Sequence, residues 1–419
     1  MNKNMNLNIS KIVKNISILM TGTVLAQLIP ILLSPVLTRL YSPDEFGILA
    51  VFISITSILT VFVNLRLDVA IMSAHENEKI PLKNISLTIT SILTIIILMF
   101  LILFSSFFKE MFKGIDYNLI VFFGPLFFIF FGMLQLTTYI ANDESQYHLI
   151  SKSKVDKNIS MTVIQIILGV FKTGVLGLIA GVVFSILFPL YRLRKGILRK
   201  EEKVSDKPNY FLILKKYKKY PLVSANTAVM DKIATESPVL MMNKYQDASL
   251  IGFYELSKRT IFIPLTFISS SVSQVYLKQI TEEKDYKKNI KLTLIILGSL
   301  VIISIFIAPI FIFWGEPLFA IIFGEEWRIV GEYSKILIFP FLIRFIISPL
   351  SVVFLKPENI LLGGLWQFIY MIVSLIVALK YLPLGMMLYL KAFAISEVLI
   401  YFLYLIMIFI ALNRGKKGV

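Results

Sequence analysis

Long apolar runs alternate with short hydrophilic connections along nearly the whole chain. The alternation predicts helices near residues 16–38, 46–67, 86–108, 119–141, 157–172, 174–191, 221–244, 249–277, 291–314, 331–355, 361–381 and 384–411. A run of about 20 apolar residues crosses the roughly 30 Å hydrocarbon core of a bilayer as a helix. The expected fold class is therefore all-α integral membrane, with about 12 transmembrane helices in two six-helix lobes related by a parallel repeat. The fifth and sixth runs are nearly fused around Lys172, and the seventh is unusually polar. Composition agrees, because 57% hydrophobic and 16% charged residues cannot cover a water-soluble fold of 419 residues with a polar surface.

Charge supplies the orientation. With the N-terminus in the cytoplasm, the loops on that side hold about 29 Lys and Arg against about 7 on the other, as the positive-inside rule requires. Both termini are then cytoplasmic. The richest stretch carries Arg192, Arg194, Lys195, Arg199, Lys200, Lys203, Lys207, Lys215, Lys216, Lys218 and Lys219. It forms a basic linker, 192–220, between an N-terminal lobe, 1–191, and a C-terminal lobe, 221–419. The linker is expected to lie on an anionic leaflet, and it is too short to hold a nucleic-acid-binding domain, so no nucleic acid is expected as a partner. Lys3, Lys11 and Lys14 precede the first run with no small-residue cleavage site after it, so this run is expected to stay attached.

The string Lys-Asn-Ile-Ser recurs at 14–17, 83–86 and 157–160, and Lys288, Asn289 and Ile290 nearly repeat it. Each copy is expected to open a helix rising from the cytoplasm, with Lys reaching headgroups and Asn and Ser accepting from first-turn amides. The chain has no Cys, and its two His, His75 and His148, fall in separate cytoplasmic loops. Disulfides and thiolate ligands are excluded, and no metal site, catalytic triad or cofactor is expected.

The two halves share a local signature. Ser34, Pro35, Val36 and Leu37 close the first helix, and Ser237, Pro238, Val239 and Leu240 close the seventh. A Tyr (Tyr41, Tyr245), a polar turn and a Gly (Gly47, Gly252) follow in both places. Six helices is an even number, so both halves enter the membrane from the same side, as in parallel repeats that enclose a central site and rock against each other.

Polar side chains recur on single helix faces where lipid would not tolerate them. The seventh helix carries a stripe of Ser224, Thr227, Asp231 and Thr235, with Lys232 and Glu236 beside it. The first carries Thr23, Gln27, Ser34 and Thr38 with Pro30 and Pro35; the eighth carries Glu255, Arg259, Thr266, Ser270 and Ser273 with Lys258 adjacent. Arg344 lies mid-span above Ser348 and Ser351, Lys391 and Glu397 interrupt the twelfth helix, and Arg66 and Asp68 sit where the second helix meets the cytoplasm. Left in lipid, the five cations Lys232, Lys258, Arg259, Arg344 and Lys391 with the acids would cost roughly 15 kcal/mol or more on insertion scales.

Two arrangements remove that cost. One is internal pairing, Lys232 with Asp231 or Glu236 and Arg259 with Glu255. The other is an aqueous cavity lined by Thr23, Gln27, Asp231, Lys232, Glu255, Lys258, Arg259, Arg344, Lys391 and Glu397. Arg344 has no acid on its own helix face, which favours the cavity for that residue. Arg66 and Asp68 are expected to act as headgroup anchors or as a gate at the cytoplasmic mouth. A mild excess of cations suits an anionic ligand, since Arg and Lys bind phosphate oxygens through charge-assisted hydrogen bonds.

The stretch Arg39 to Gly47, Arg-Leu-Tyr-Ser-Pro-Asp-Glu-Phe-Gly, resembles the first external loop of the polysaccharide biosynthesis family that includes O-antigen repeat-unit flippases. Leu65-Arg66-Leu67-Asp68-Val69-Ala70-Ile71 resembles that family's segment closing the second helix. Gly252, Tyr254, Lys258, Arg259 and Pro264 resemble its eighth helix. Phe323-Gly324-Glu325-Glu326-Trp327 with Gly331 and Tyr333 resembles its loop before the tenth.

The resemblance implies a member of the multidrug, oligosaccharidyl-lipid and polysaccharide exporter superfamily. It would move a polyprenyl-diphosphate-linked oligosaccharide from the cytoplasmic to the periplasmic leaflet of the bacterial inner membrane, in O-antigen or lipopolysaccharide assembly. By that similarity Lys232, Lys258, Arg259 and Arg344 are candidates for a cationic lumen. Membrane lipids and other glycan assembly proteins are the expected partners, and a coupling ion, proton or sodium, is left open. Two rival functions fit less well. A cation-coupled multidrug exporter would place acids in the lumen. A membrane glycosyltransferase or polymerase, hinted at by Asp44 and Glu45, would need a sizeable external domain, whereas that pair reads as a helix N-terminal cap opening at Phe46.

Overall fold

A computed structural model describes residues 21–111, 116–197, 209–218, 220–221, 225–283 and 285–414. Expectations for Lys3, Lys11, the 14–17 string, Arg199, Lys200, Lys203, Lys207, Lys219, Ser224 and the side chain of Thr227 lie outside the described residues. Twelve long helices run in order among the described residues. They are α1 Thr21–Leu40, α2 Pro43–Ser73, α3 Glu76–Leu103, α4 Tyr117–Asp143, α5 Tyr147–Val170, α6 Val175–Gly196, α7 Ala225–Tyr245, α8 Ala248–Thr281, α9 Tyr286–Phe323, α10 Glu325–Leu355, α11 Ile360–Leu384 and α12 Met386–Arg414.

Ten of these, among the described residues, are long and apolar enough to span a membrane. The twelve expected spans thus divide into ten apolar helices and two polar ones. The polar pair are α5, charged at Lys152, Lys154, Asp156 and Lys157, and α7, charged at Asp231, Lys232 and Glu236. The nearly fused fifth and sixth runs are distinct helices. Lys172 and Gly174, with φ of 55° and 63°, turn the chain between them.

The two described Lys-Asn-Ile-Ser strings do not open helices, whereas the near-repeat Lys288, Asn289 and Ile290 does fall in the opening turns of α9, which starts at Tyr286. Residues 83–86 lie two turns inside α3 and 157–160 three turns inside α5, because both helices begin in the preceding polar stretch and extend past the apolar run. Ser160 consequently bonds back to the Asp156 carbonyl at 2.7 Å and caps nothing.

The chain packs as two units, Met1–Tyr41 with Val51–Lys232, and Ser42–Ala50 with Ile233–Val419. In the first, α2 is not the continuous helix its apolar run predicts. Val63 is extended, and Asn64, Leu65 and Arg66 take φ of 55°, 45° and 61°, left-handed values that cost non-glycine residues about 1–3 kcal/mol each. Hydrogen bonds hold the break. Asn64 Nδ2 donates to the Gly132 carbonyl at 3.1 Å, Thr90 Oγ1 donates to Asn64 Oδ1 at 2.7 Å, and Asn64 N–H donates to Thr90 Oγ1 at 3.2 Å. Gly132 is needed there, since a Cβ would sit 2.6 Å from Thr90 Cγ2. Broken backbone at membrane depth survives where protein satisfies it.

A short linker helix, Tyr210–Tyr217, docks on the far end of the same break. Ile213 and Tyr217 bury against Leu67, Ala70 and Leu82. Lys216 Nζ and the Tyr217 hydroxyl both donate to Glu78, at 2.7 and 2.8 Å. Phe211 and Leu212 face outward, 73% and 58% exposed, as on a helix lying in a membrane interface.

The second unit takes the start of α2 from the N-terminal half. Ser42 and Glu45 form a capping box, with Ser42 N–H donating to Glu45 Oε2 at 2.7 Å and Glu45 N–H to Ser42 Oγ at 3.4 Å. The helix therefore opens at Pro43, three residues before the expected Phe46, with Ser42 as the cap and Asp44 and Glu45 inside the first turn. This helix start packs against the start of α8 through two glycines. A Cβ on Gly47 would lie 1.8 Å from the Ala248 carbonyl oxygen, and one on Gly252 would lie 2.1 Å from that of Pro43. Pro43 precedes Gly47 by four residues, and Ala248 precedes Gly252 by four. The contact is therefore reciprocal, as a local two-fold requires. Trp327, fully buried, seals it against Phe46 and Phe253 with ring centroids at 5.1 and 5.8 Å. Deeper in the unit, Trp366 stacks on Tyr404 at 3.8 Å and gives its indole N–H to the Ile400 carbonyl.

Candidate functional site

The membrane-embedded charges of the second unit converge on α8, α10 and α12. Pro340 is accommodated inside α10, which carries Arg344 toward α12. There Arg344 Nε donates to Glu397 Oε2 at 2.7 Å and Nη2 to Oε1 at 2.8 Å, and Nη2 also donates to the Tyr370 hydroxyl from α11. The rings of Phe262, Tyr370, Phe393 and Tyr401 surround the guanidinium at 5.6 to 6.0 Å. Glu397 is only 3% exposed. A planar fork met by a carboxylate and enclosed by π faces is what guanidinium chemistry suits best.

On α8 the backbone widens over Lys258–Phe262 into a turn closed by i→i+5 hydrogen bonds, next to Pro264, which has no N–H to donate. Lys258 and Arg259 open this wide turn. Lys258 Nζ pairs with Glu255 Oε1 at 3.1 Å, both side chains remaining about a third exposed (31% and 27%). Glu236 on α7 is close enough to act on the Lys258 charge, and Glu255 on that of Arg259. Tyr254 lies within electrostatic reach of Lys258, Glu255, Arg344 and Glu397. The cations Lys258, Arg259 and Arg344 are matched by Glu236, Glu255 and Glu397.

The structure thus brings together Glu255, Lys258, Arg259, Arg344 and Glu397 from the expected set. Arg344 does have an acid, 53 residues away on α12. The absence of an acid on its own helix face, which favoured a cavity position, does not hold once α12 packs alongside. Glu255 accepts from Lys258 at i+3, and its charge also acts on Arg259 at i+4, the pair expected from the spacing. The cation excess is not found in this group.

Lys391 is exposed, six residues before Glu397 and on another face of α12. In the first unit Thr23 Oγ1 accepts from Lys154 Nζ at 2.9 Å, Gln27 is exposed on α1, Asp231 is exposed and Lys232 half-buried on α7. Asp68 is no headgroup anchor. It is fully buried beyond the α2 break, where its Oδ2 accepts from Gln135 Nε2 at 2.6 Å while Oδ1 and Arg66 Nε are buried with no hydrogen-bond partner among the described residues.

Sequence reasoning missed Tyr370, Tyr401, Gln135 and the Asn64–Thr90–Gly132 lock. The two tyrosines carried a readable signal, since they fall mid-span and not in the interfacial belts where Tyr concentrates. Gln135 and Asn64 carried none beyond being amides in apolar runs.

Solved structures share this architecture. The lipid II flippase MurJ, in an inward closed conformation, superposes with a TM-score of 0.71 at 13% identity over 95% of this chain and 89% of that one. A MOP superfamily transporter from Pyrococcus furiosus, described as having a binding pocket of reverse polarity, gives 0.64 at 12% identity over 96% of each chain. A variant of the Vibrio cholerae MATE transporter VcmN gives 0.58 at 10% identity over 98% of each. These are all transport proteins, and at such identities the likeness concerns the fold. No curated protein matches the chain. The sequence profile of the polysaccharide biosynthesis proteins matches residues 36–331, well over half of the chain. This multi-pass membrane protein has the fold of the MOP-superfamily transporters and belongs to the polysaccharide biosynthesis protein family.

Proposed function

We propose that the chain is a flippase that carries a polyprenyl-diphosphate-linked oligosaccharide, an O-antigen or related surface-glycan repeat unit, from the cytoplasmic to the periplasmic leaflet of a bacterial inner membrane by alternating access. The observation that carries this reading is the pair Lys258 and Arg259 on the wide turn of α8, in a chain whose family makes polysaccharides. Two adjacent partly exposed cations at membrane depth suit a diphosphate, while the prenyl tail stays in lipid. Membership of the fold shared with a lipid flippase supports the same class of cargo. In this reading Lys258 and Arg259 meet the headgroup, Arg344 and Glu397 hold α10 to α12, and Arg66 and Asp68 act at the α2 break as a gate. Thr23, Gln27, Asp231 and Lys232 line the path.

The rival reading is a cation-coupled multidrug exporter, which the likeness to MATE transporters keeps in view. Glu255 and Glu397 are already engaged by Lys258 and Arg344, which leaves them little to offer a cationic drug. A deletion strain separates the two. Loss of surface glycan with unchanged dye efflux supports the flippase; normal glycan with dye retention supports the exporter.

A further inference from the structure

Helix α5 is a polar span of the first unit, and its charges divide between two sides. Asp156 faces α6, where both of its oxygens accept from the Arg192 guanidinium. Lys154 and Lys157, three residues apart and so on one face, turn the other way. Lys154 Nζ donates to Thr23 Oγ1 of α1 at 2.9 Å, and Lys157 Nζ lies 5.9 Å from the ring centroid of Phe131 on α4. A hydroxyl and an aromatic face leave both ammonium charges unneutralised, and no carboxylate among the described residues acts on either. Lys154 is exposed and Lys157 partly so. At the rise of an α-helix they stand about 10 and 15 Å from the start of α5, an end that the charge distribution assigns to the cytoplasm. The second unit balances Lys258, Arg259 and Arg344 with Glu236, Glu255 and Glu397. Among the described residues the first unit offers these two lysines no such acid. A lysine at membrane depth without an acid is costly unless water or an anion meets it.

We propose that Lys154 and Lys157 form a diphosphate-binding subsite within the first unit, in the cytoplasmic half of its span, where the cargo headgroup is loaded from the cytoplasmic leaflet. The proposal rests on the flippase reading and adds to it the residues that receive the headgroup. Two ammonium groups one helical turn apart, on Cβ atoms about 5–6 Å from each other, can each meet one phosphate of a diphosphate. The Thr23 hydroxyl orients Lys154, and the π face of Phe131 holds Lys157 by a contact weak enough to yield to phosphate oxygens. The pair serves binding and not folding, because its like charges oppose each other until an anion joins them.

The test measures two quantities on the full-length protein in detergent: retention of a sugar-free polyprenyl diphosphate by native mass spectrometry, and thermal unfolding without ligand. Lys154→Gln and Lys157→Met are each expected to weaken diphosphate retention by about tenfold, the loss of one charge-assisted contact. Both are also expected to raise the unfolding temperature of the ligand-free protein, since an unmatched charge is gone. Lys157→Arg is expected to keep retention, and Lys152→Gln, on another side of α5, to change neither quantity. Unchanged retention with a lowered unfolding temperature in the Lys154 and Lys157 variants would assign both lysines to structure and overturn the proposal. Equal retention of phosphatidylglycerol by the wild type would also overturn it, by making the pair a general lipid-headgroup site. If Lys258→Gln and Arg259→Gln weaken retention while the Lys154 and Lys157 variants do not, the subsite fails and the flippase reading stands. A wild type that retains no polyprenyl diphosphate removes both.

Discussion

Arg344 on α10 grips Glu397 on α12 with two parallel hydrogen bonds of 2.7 and 2.8 Å, inside a ring of four aromatic side chains. Removing one member of such a pair leaves the other charge buried and uncompensated, a loss of about 3–5 kcal/mol, whereas replacing both with apolar residues of similar volume is close to neutral. Arg344→Ala is therefore expected to lower the unfolding temperature and the amount of protein in the membrane. Arg344→Met combined with Glu397→Leu recovers most of both. Thermal unfolding in detergent reads the difference, and a stable single variant would show that the pair does not hold the helices together.

The α2 break depends on Asn64 in two ways. Its side chain bonds to Thr90 and Gly132, and Asn tolerates left-handed backbone better than most residues. Asn64→Ala loses both and is expected to cost about 2–4 kcal/mol, while Asn64→Gly loses the hydrogen bonds and relieves the backbone, so its cost is smaller. If the two variants unfold at the same temperature, the left-handed turn is not a source of strain.

The apolar runs placed a helix at each of the twelve positions but missed several ends, α3 and α5 each beginning ten residues before the expected start, in polar sequence that hydropathy does not read as helix. The Gly47 and Gly252 signatures were legible too, since both positions need the same absent Cβ. The interruption of α2 was not. The run from 46 to 67 is apolar throughout except for polar side chains that helices tolerate, and the partners that stabilise the break lie 26 and 68 residues away. For the same reason the acid opposite Arg344 was invisible to single-helix reasoning, as helical spacing reports neighbours on one helix and is silent about which faces meet. Lys258 and Arg259 were found because a charge inside a span is conspicuous wherever it packs.

The glycine contact is reciprocal, so its substitutions are expected to couple. Gly47→Ala and Gly252→Ala each force the two helix starts apart and should each cost about 1–3 kcal/mol. One separation accommodates both methyl groups, so the double variant is expected to lose clearly less than the sum. Full additivity in thermal unfolding would mean that the two sites yield independently.

On the wide turn of α8, Arg259→Gln and Lys258→Gln are expected to cut surface-glycan display by tenfold or more, on the order of the loss of one charge-assisted contact, at membrane levels near the wild type. Arg259→Lys keeps the charge without the fork and is expected to fall between. Display that follows protein level across the whole series would assign these cations to stability.

The most direct measurement is flipping itself. Purified protein reconstituted in liposomes with a polyprenyl-diphosphate-linked oligosaccharide is assayed for the sugar that an externally added glycosidase can reach. The account predicts that the accessible fraction rises from about half, the value for a lipid spread evenly over two leaflets that do not exchange, toward completion with the wild type. It stays at the starting value with Arg259→Gln. A wild-type protein that leaves the fraction unchanged, or an Arg259→Gln variant that flips as fast as the wild type, would contradict it.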